Sequence, residues 1–288
     1  MENWLTQQAD ATSNSWVSVI ARYYPDQLVY WTNPAEHLKM FDLKWNTSES
    51  LKVIHWQEVI RQGARILDLG CGTGWLSAML SRFENVCTVD ALDCDDWDLG
   101  AMLPDVVRLM DGNMGKINCV RGFLFPLLRP DEYYDLIVAS SSLHHSTNLI
   151  SVMQELNRVL KREGRLLILN ECVVPYWKMM VHYLTGSLRL LGDFLFRKSR
   201  PGTPQYASNA IFMDPILGDH IRSRFQWHQA ITSAGFEYRM IDTKLSVYKD
   251  TKVDSLIHFI CEKERVQRGM EVRTQNGFEG DRCKLGIL

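Results

Sequence analysis

The 288-residue chain lacks any cysteine framework. Its seven cysteines, at 71, 87, 94, 119, 172, 261 and 283, form no C-x-x-C pair and no metal-ligand spacing. That excludes a zinc ribbon, a dithiol redox centre or a disulfide scaffold, and no metal site is expected. Cys87 and Cys119 fall inside strand patterns, where a reduced thiol acts as a small hydrophobe, so the expected compartment is reducing. Charge excess is also missing. With 32 Lys+Arg against 34 Asp+Glu the net charge is −2, and no dense basic stripe exists to track a nucleic-acid backbone. The one tight basic run, Arg197, Lys198 and Arg200, reads as a solvated loop or a contact for an acidic carrier. The first twelve residues are polar and acidic, unlike a signal peptide, and no run of ~20 apolar residues long enough to cross a bilayer is found. The expectation is a cytoplasmic protein without a membrane or nucleic-acid partner. Repeats and low-complexity tracts are absent, and 46% hydrophobic residues with nine tryptophans support one large core.

What is present begins at Ile66-Leu-Asp-Leu-Gly-Cys-Gly-Thr-Gly74. Ala64 to Leu69 is a short apolar run with strand character, and Trp75, Leu76, Met79, Leu80 and Phe83 recur at helical spacing. Between them Gly70, Gly72 and Gly74 form a tight turn that lets backbone approach a ligand, with free amides at the helix start. A dinucleotide fingerprint is G-x-G-x-x-G. Here the order is D-x-G-x-G-x-G, and the acid at Asp68 suits a ligand carrying an amino group and a positive charge rather than a pyrophosphate.

Further β-α alternation follows. Asn85 to Asp90 reads as a second strand ending in an acid, with Asp93, Asp95 and Asp96 crowding the same loop. Ile117 to Arg121 is a third, followed by Gly122-Phe123. Tyr134 to Ser140 is a fourth, followed by Ser141-Ser-Leu-His-His145. A helix with Leu149, Val152, Met153, Leu156, Val159 and Leu160 inward is closed by Gly164, and Arg165 to Asn170 is a fifth strand. Phe225 to Gly235 reads as a helix, and Phe236–Leu245 and Ser255–Cys261 as an edge pair. Ser48 is expected to cap a helix running to Arg61. Alternation of this kind predicts a doubly wound, mostly parallel sheet with ligands at the strands' carboxyl ends.

The glycine motif and the order Tyr-Asp-Leu-Ile, Leu-His-His, Asn-Arg-Val-Leu-Lys, Gly-Arg-Leu-Leu-Ile resemble the class I S-adenosylmethionine-dependent methyltransferases of small-molecule type, over about residues 48 to 265. The resemblance implies a seven-stranded Rossmann-like α/β domain. It also implies S-adenosylmethionine as cofactor, S-adenosylhomocysteine as product, and a cofactor site at Asp68, Gly70, Gly72, Gly74, Asp90, Gly122, Phe123 and Ser140. Asp90 would be the ribose ligand. Phe123 stands where many relatives carry an acid for the adenine amino group, so backbone carbonyls or ring stacking must replace it. A narrower similarity, to C-methyltransferase domains of polyketide synthases, pairs His144 with an acid at the fifth strand's end. Asn170 falls at the matching place and Glu171 one further on. His144, His145 and Glu171 are therefore the candidate catalytic residues, a histidine serving as base. His220 and His228 are weaker candidates.

Residues 1–47 read as a helical cap, 173–224 as an inserted helical lid over an acceptor pocket, and 266–288 as a polar tail. The aromatic residues Tyr30, Trp31 and Trp75 are open to core packing or to cation-π contact with the sulfonium. The expected function is methyl transfer to oxygen or carbon of a medium-sized, partly apolar metabolite, free or on a carrier protein, by a monomer or homodimer. The alternative is a non-catalytic partner subunit or sensor that binds the cofactor. The lack of an Asn/Asp-Pro-Pro-Tyr-like motif after the fourth strand weighs against base methylation.

Overall fold

In a computed structural model, residues 1–5, 16–175, 218–220, 222–249 and 255–264 are described, with isolated positions between 177 and 188. The lid helix, the basic run at 197–200 and the polar tail lie outside the described residues or nearly so.

The strands are β1 (Glu2–Asn3), β2 (Ala64–Leu69), β3 (Val86–Asp93), β4 (Ile117–Arg121), β5 (Tyr134–Ser140), β6 (Leu160–Val174), β7 (Arg222–Ser223), β8 (Phe236–Ser246) and β9 (Ser255–Lys263). They form a sheet in the order β1-β4-β3-β2-β5-β6-β9-β8, with β7 added beside β6. Seven strands are the expected doubly wound sheet, and the two-residue β1 and β7 extend it. β2 to β6 run parallel, while β9 is antiparallel to both β6 and β8.

The apolar runs of β2, β3 and β5 are continuous because both faces are covered. Leu67, Leu69, Leu92, Ile137 and Ile168 pack into one apolar cluster, and Ile66, Val89, Ala91, Val138 and Leu167 into a second on the other face. This period-2 division fixes which strand-end residues point above and below the sheet.

Three local expectations are corrected. The helix from Ser48 to Arg61 is broken into α4 (Thr47–Ser50), a 3-10 turn at Leu51–Val53 and α5 (Trp56–Val59). Ile54 adopts an extended conformation (φ −92°, ψ 117°), which stops propagation. Gly164 does not close the helix α8 (Leu149–Val159) but lies within β6, where a Cβ would meet the Leu160 side chain at 2.6 Å and the Asp135 carbonyl at 3.0 Å. β3 runs three residues past Asp90 to Asp93, with consequences below.

The N-terminal cap is α1 (Trp16–Tyr23), α2 (Leu28–Thr32) and α3 (Pro34–Leu43), the last capped by Asn33 Oδ1 accepting from the Ala35 and Glu36 amides. Its exit is sewn to the end of β8. The Asn46 amide donates to the Val247 carbonyl, the Asn46 side chain to the Ser246 carbonyl, and the Lys249 amide to the Lys44 carbonyl. The first and last described parts of the chain thereby close over the carboxyl ends of the central strands.

Candidate active site

β2 gives way at Leu69 to a loop in which Gly70, Gly72 and Gly74 have φ of 69°, 50° and 80°. Side chains are excluded sterically at two of them. A Cβ at Gly70 would sit 2.5 Å from Ser142 Cβ, and one at Gly74 2.5 Å from Leu103 Cγ. The Gly70 and Cys71 amides donate to the Leu92 carbonyl at 2.8 and 3.0 Å, and the Gly72 amide donates to the Asp93 carboxylate at 2.9 Å. Helix α6 (Trp75–Ser81) starts directly after this loop.

Above it lies a cavity of about 580 Å³, within the ~300–1,000 Å³ typical of small-molecule sites. Among the sequence candidates, Gly70, Gly72, Gly122, Phe123, Ser140 and His145 line it. Asp68, Gly74, Asp90, His144 and Glu171 do not. Phe123 lies on the wall beside Leu124, so an apolar surface stands where relatives place an acid.

Asp90, the expected ribose ligand, does not line the cavity and is held by other side chains. Its Oδ2 accepts from Arg129 Nε and Nη2 (3.0 and 2.9 Å) and from the Tyr134 hydroxyl (2.7 Å), and its Oδ1 from Asn118 Nδ2 (3.0 Å). Arg129 also forks onto Glu2, tying β1 to the sheet. This carboxylate is spent on a buried ion pair. Asp93, at the end of β3, lines the cavity.

Asp68 lies under the loop, where its carboxylate accepts from Ser77 Oγ at 2.6 Å. Burial pushes it up to about 7, against the hydrogen bonds of Ser77. The cavity's own acids are Asp93, Asp95 and Asp98. Burial first, then the charges of Asp93 and Asp95, push Asp98 up to about 8. Burial likewise raises Asp93, opposed by the amides of Asp95 and Gly72. Asp98 Oδ1 is buried with no hydrogen-bond partner among the described residues. Buried Asp93 and Asp98, both resisting ionisation and the latter holding an orphaned oxygen, fit a ligand bringing positive charge and donors. Sequence reasoning missed Asp98, although an acid on the apolar Leu99, Met102, Leu103 and Val106 face was a readable signal.

Among the described residues, the cap contributes aromatic rings over the loop. Trp31, Phe41 and Trp45 line the cavity with Trp75 and Tyr248, Phe41 meeting the Trp75 ring at 4.9 Å between centroids. His37 pins this roof to the glycine loop, its Nδ1 2.8 Å from the Tyr30 carbonyl and its Nε2 2.8 Å from Thr73 Oγ1. Burial lowers it to about 4, opposed by the Tyr30 carbonyl, so it is neutral: Nδ1 donates and Nε2 accepts from Thr73.

At the β5 end, His144 and His145 occupy a 3-10 turn at Leu143–His145. A bulge in β6, where its register with β9 slips between Ile168 and Glu171 and Asn170 takes φ 59°, swings Glu171 under that turn. Glu171 is fully buried. Its Oε1 accepts from the Ser142 and Leu143 amides (3.3 and 3.0 Å), and its Oε2 lies 2.9 Å from His144 Nδ1. The structure therefore joins His144 to Glu171, not to Asn170. Burial lowers the His144 pKa, but the Glu171 charge and hydrogen bond, with Asp219, outweigh it and the net shift is upward. His228 bonds the Tyr238 hydroxyl at 3.0 Å, and the His220 amide donates to the His144 carbonyl at 2.8 Å.

Residues 50–239 match the family described as Methyltransferase domain. The ubiquinone/menaquinone biosynthesis C-methyltransferase UbiE of Serratia proteamaculans is 31% identical over 161 residues, 54% of this chain and 62% of that protein. Its counterpart from Vibrio parahaemolyticus is 38% identical over 54% of this chain and 60% of its own length. The match thus spans about three-fifths of these relatives. In fold, a chain of the complex between the Haloferax volcanii Trm112 methyltransferase activator and a methyltransferase superposes with TM-score 0.56 at 12% identity, covering 88% of this chain and all of that one. Among the described residues no helix is long and apolar enough to cross a membrane. With the family match spanning most of the sheet and the whole glycine loop, the chain belongs to the class I S-adenosylmethionine-dependent methyltransferases.

Proposed function

We propose that the chain transfers the methyl group of S-adenosylmethionine to a carbon or oxygen of a medium-sized, partly aromatic or apolar small molecule. The observation that carries this reading is one cavity lined by the glycine loop, three acids, aromatic rings and His145 together. Asp93 and Asp98 are assigned to the cofactor's polar groups, and Phe123, Gly122 and Ser140 to the surrounding wall. The cofactor supplies an activated methyl group. The chain's work is then to align donor and acceptor, exclude water and manage the acceptor's proton.

The aromatic roof excludes water and presses a flat acceptor toward the loop, while Trp31, Trp45 and Trp75 offer ring faces to a cation, worth about 0.5–2 kcal/mol each. His145, with His144 and Glu171 behind it, is assigned to the acceptor's proton-bearing group. Two UbiE relatives named as C-methyltransferases favour carbon as the methylated atom. The alternative, a subunit or sensor that binds cofactor without turnover, is separated by one experiment. Protein and methyl-labelled cofactor are incubated with cell extract. Label in the small-molecule fraction is expected. Tight cofactor binding with no labelled metabolite supports the alternative, and label in macromolecules overturns the small-molecule reading.

A further inference from the structure

We propose that His144, His145 and Asp219 form a binding site for one divalent first-row transition-metal ion beside the cavity that His145 lines. This goes beyond the methyl-transfer reading, since binding is tested without turnover.

The three side chains come from two distant stretches of sequence, and their candidate ligand atoms all lie within 4.8 Å of one another. Asp219 Oδ1 is 3.2 Å from His145 Nδ1 and 3.6 Å from His144 Nε2. Ligands held at about 2.1 Å from a common centre stand roughly 3.0–3.5 Å apart for right-angled to tetrahedral arrangements, so little movement is required. Asp219 Oδ1 is buried, yet it has no hydrogen bond among the described residues. The oxygen thus lies near two imidazole nitrogens without donor-acceptor geometry to either.

The second shell points the same way. His144 Nδ1 is held by Glu171 at 2.9 Å, the carboxylate–histidine relation that fixes ring orientation and tautomer so that Nε2 presents its lone pair. The 3-10 turn brings the two rings to 4.3 Å between centroids. Arg222 clamps the turn through the carbonyls of Leu143, His144 and Ser146. Its one positive charge is set against the two carboxylates of Glu171 and Asp219. The neighbourhood is therefore net negative and suited to a dication.

Two imidazole nitrogens and one carboxylate oxygen select zinc, iron(II), cobalt or manganese over calcium or magnesium, whose sites are built from oxygen. Three protein ligands leave coordination positions open. His145 lines the cavity while His144 and Asp219 do not, and the class of ligand that would take an open position through it is a hydroxyl, enol or phenol oxygen. An ion there would acidify that oxygen, its proton leaving to solvent, and the histidines would then hold the ion rather than the proton.

The test uses the full chain stripped with a chelator and titrated with zinc and cobalt(II) by calorimetry. One equivalent is expected to bind. His145→Ala and Asp219→Asn should each weaken it at least tenfold, and Glu171→Gln about 10–100-fold. Thermal midpoint and S-adenosylhomocysteine binding report whether each variant is folded. Independently of any variant, cobalt(II) should shift the ring resonances of both His144 and His145 in the wild-type protein. No saturable binding, thiolate-to-cobalt absorption from cysteine ligation, unshifted histidine rings, or full affinity in folded Asp219→Asn would overturn the proposal.

Discussion

At the scale of single residues, Asp90 sits in an ion pair while Asp93 lines the cavity. Asp90 pairs with Arg129 and accepts from the buried Tyr134 hydroxyl; its loss leaves that hydroxyl without its acceptor, while Glu2 keeps Arg129 paired, so the cost lies below the about 3–5 kcal/mol of a fully stranded partner. Asp90→Ala is therefore expected to lower the denaturation midpoint. Asp93→Ala should leave a folded protein whose S-adenosylmethionine affinity falls at least tenfold, as read by calorimetry. Equal loss of affinity in a folded Asp90→Ala protein would return the ribose role to Asp90.

Asp98 carries a pH signature. Its folded pKa of about 8 stands above the unfolded value near ~3.9, so the folded state binds the extra proton. Stability from this residue is present below pH ~4 and declines as pH rises toward about 8. Asp98→Asn should accordingly raise the thermal midpoint of the free protein at pH 8, flatten its pH dependence between 4 and 8, and weaken cofactor binding. A midpoint unchanged at pH 8 would show that the carboxylate is not strained.

At the scale of elements, strand existence was legible from apolar runs bounded by turn residues, and all seven major strands lie where those runs are. Ends were not. β3 continues through Ala91, Leu92 and Asp93 because its partners β2 and β4 extend alongside it, and pairing across a sheet has no trace in one strand's own residues. The Ser48–Arg61 helix failed for a related reason: a suitable cap and apolar period do not outweigh the extended backbone at Ile54 and Ile60, both buried in the apolar cluster that includes β2.

The cap helix α3 acts on the site through His37, which bridges the Tyr30 carbonyl and Thr73. His37→Ala leaves both partners buried without their bonds, a loss of about 1–3 kcal/mol each at most. Lower denaturant stability together with weaker cofactor binding is expected, since Thr73 belongs to the glycine loop. Unaltered cofactor affinity would mean that the roof and the loop are uncoupled.

At the scale of the whole molecule, the cavity is closed because segments some 200 residues apart meet. The cap's exit at Trp45 and Asn46 pairs with the end of β8 at Ser246 to Tyr248, closing a roof over the carboxyl ends of β2, β3, β4 and β5. A ligand held between roof and sheet binds only the folded state. At a hundredfold excess over Kd it should add about 2.7 kcal/mol. We expect S-adenosylhomocysteine to raise the thermal midpoint by several degrees in wild type and by much less in Asp93→Ala. No rise at saturation would mean that the cavity is not the cofactor site.

Sequence alone determined the class of fold and the glycine loop, because both rest on local rules: apolar period, turn chemistry and the backbone freedom of glycine between a strand and a helix. It also placed His144, His145 and Glu171 near one another. Tertiary structure alone decided which acid lines the cavity, that Glu171 rather than Asn170 reaches His144, and that Asp219 lies beside the two histidines. Those outcomes turn on strand register, one bulge and the meeting of residues some 75 positions apart. A single-residue slip reverses the direction of a side chain, and no local pattern in one strand encodes the neighbour that sets it.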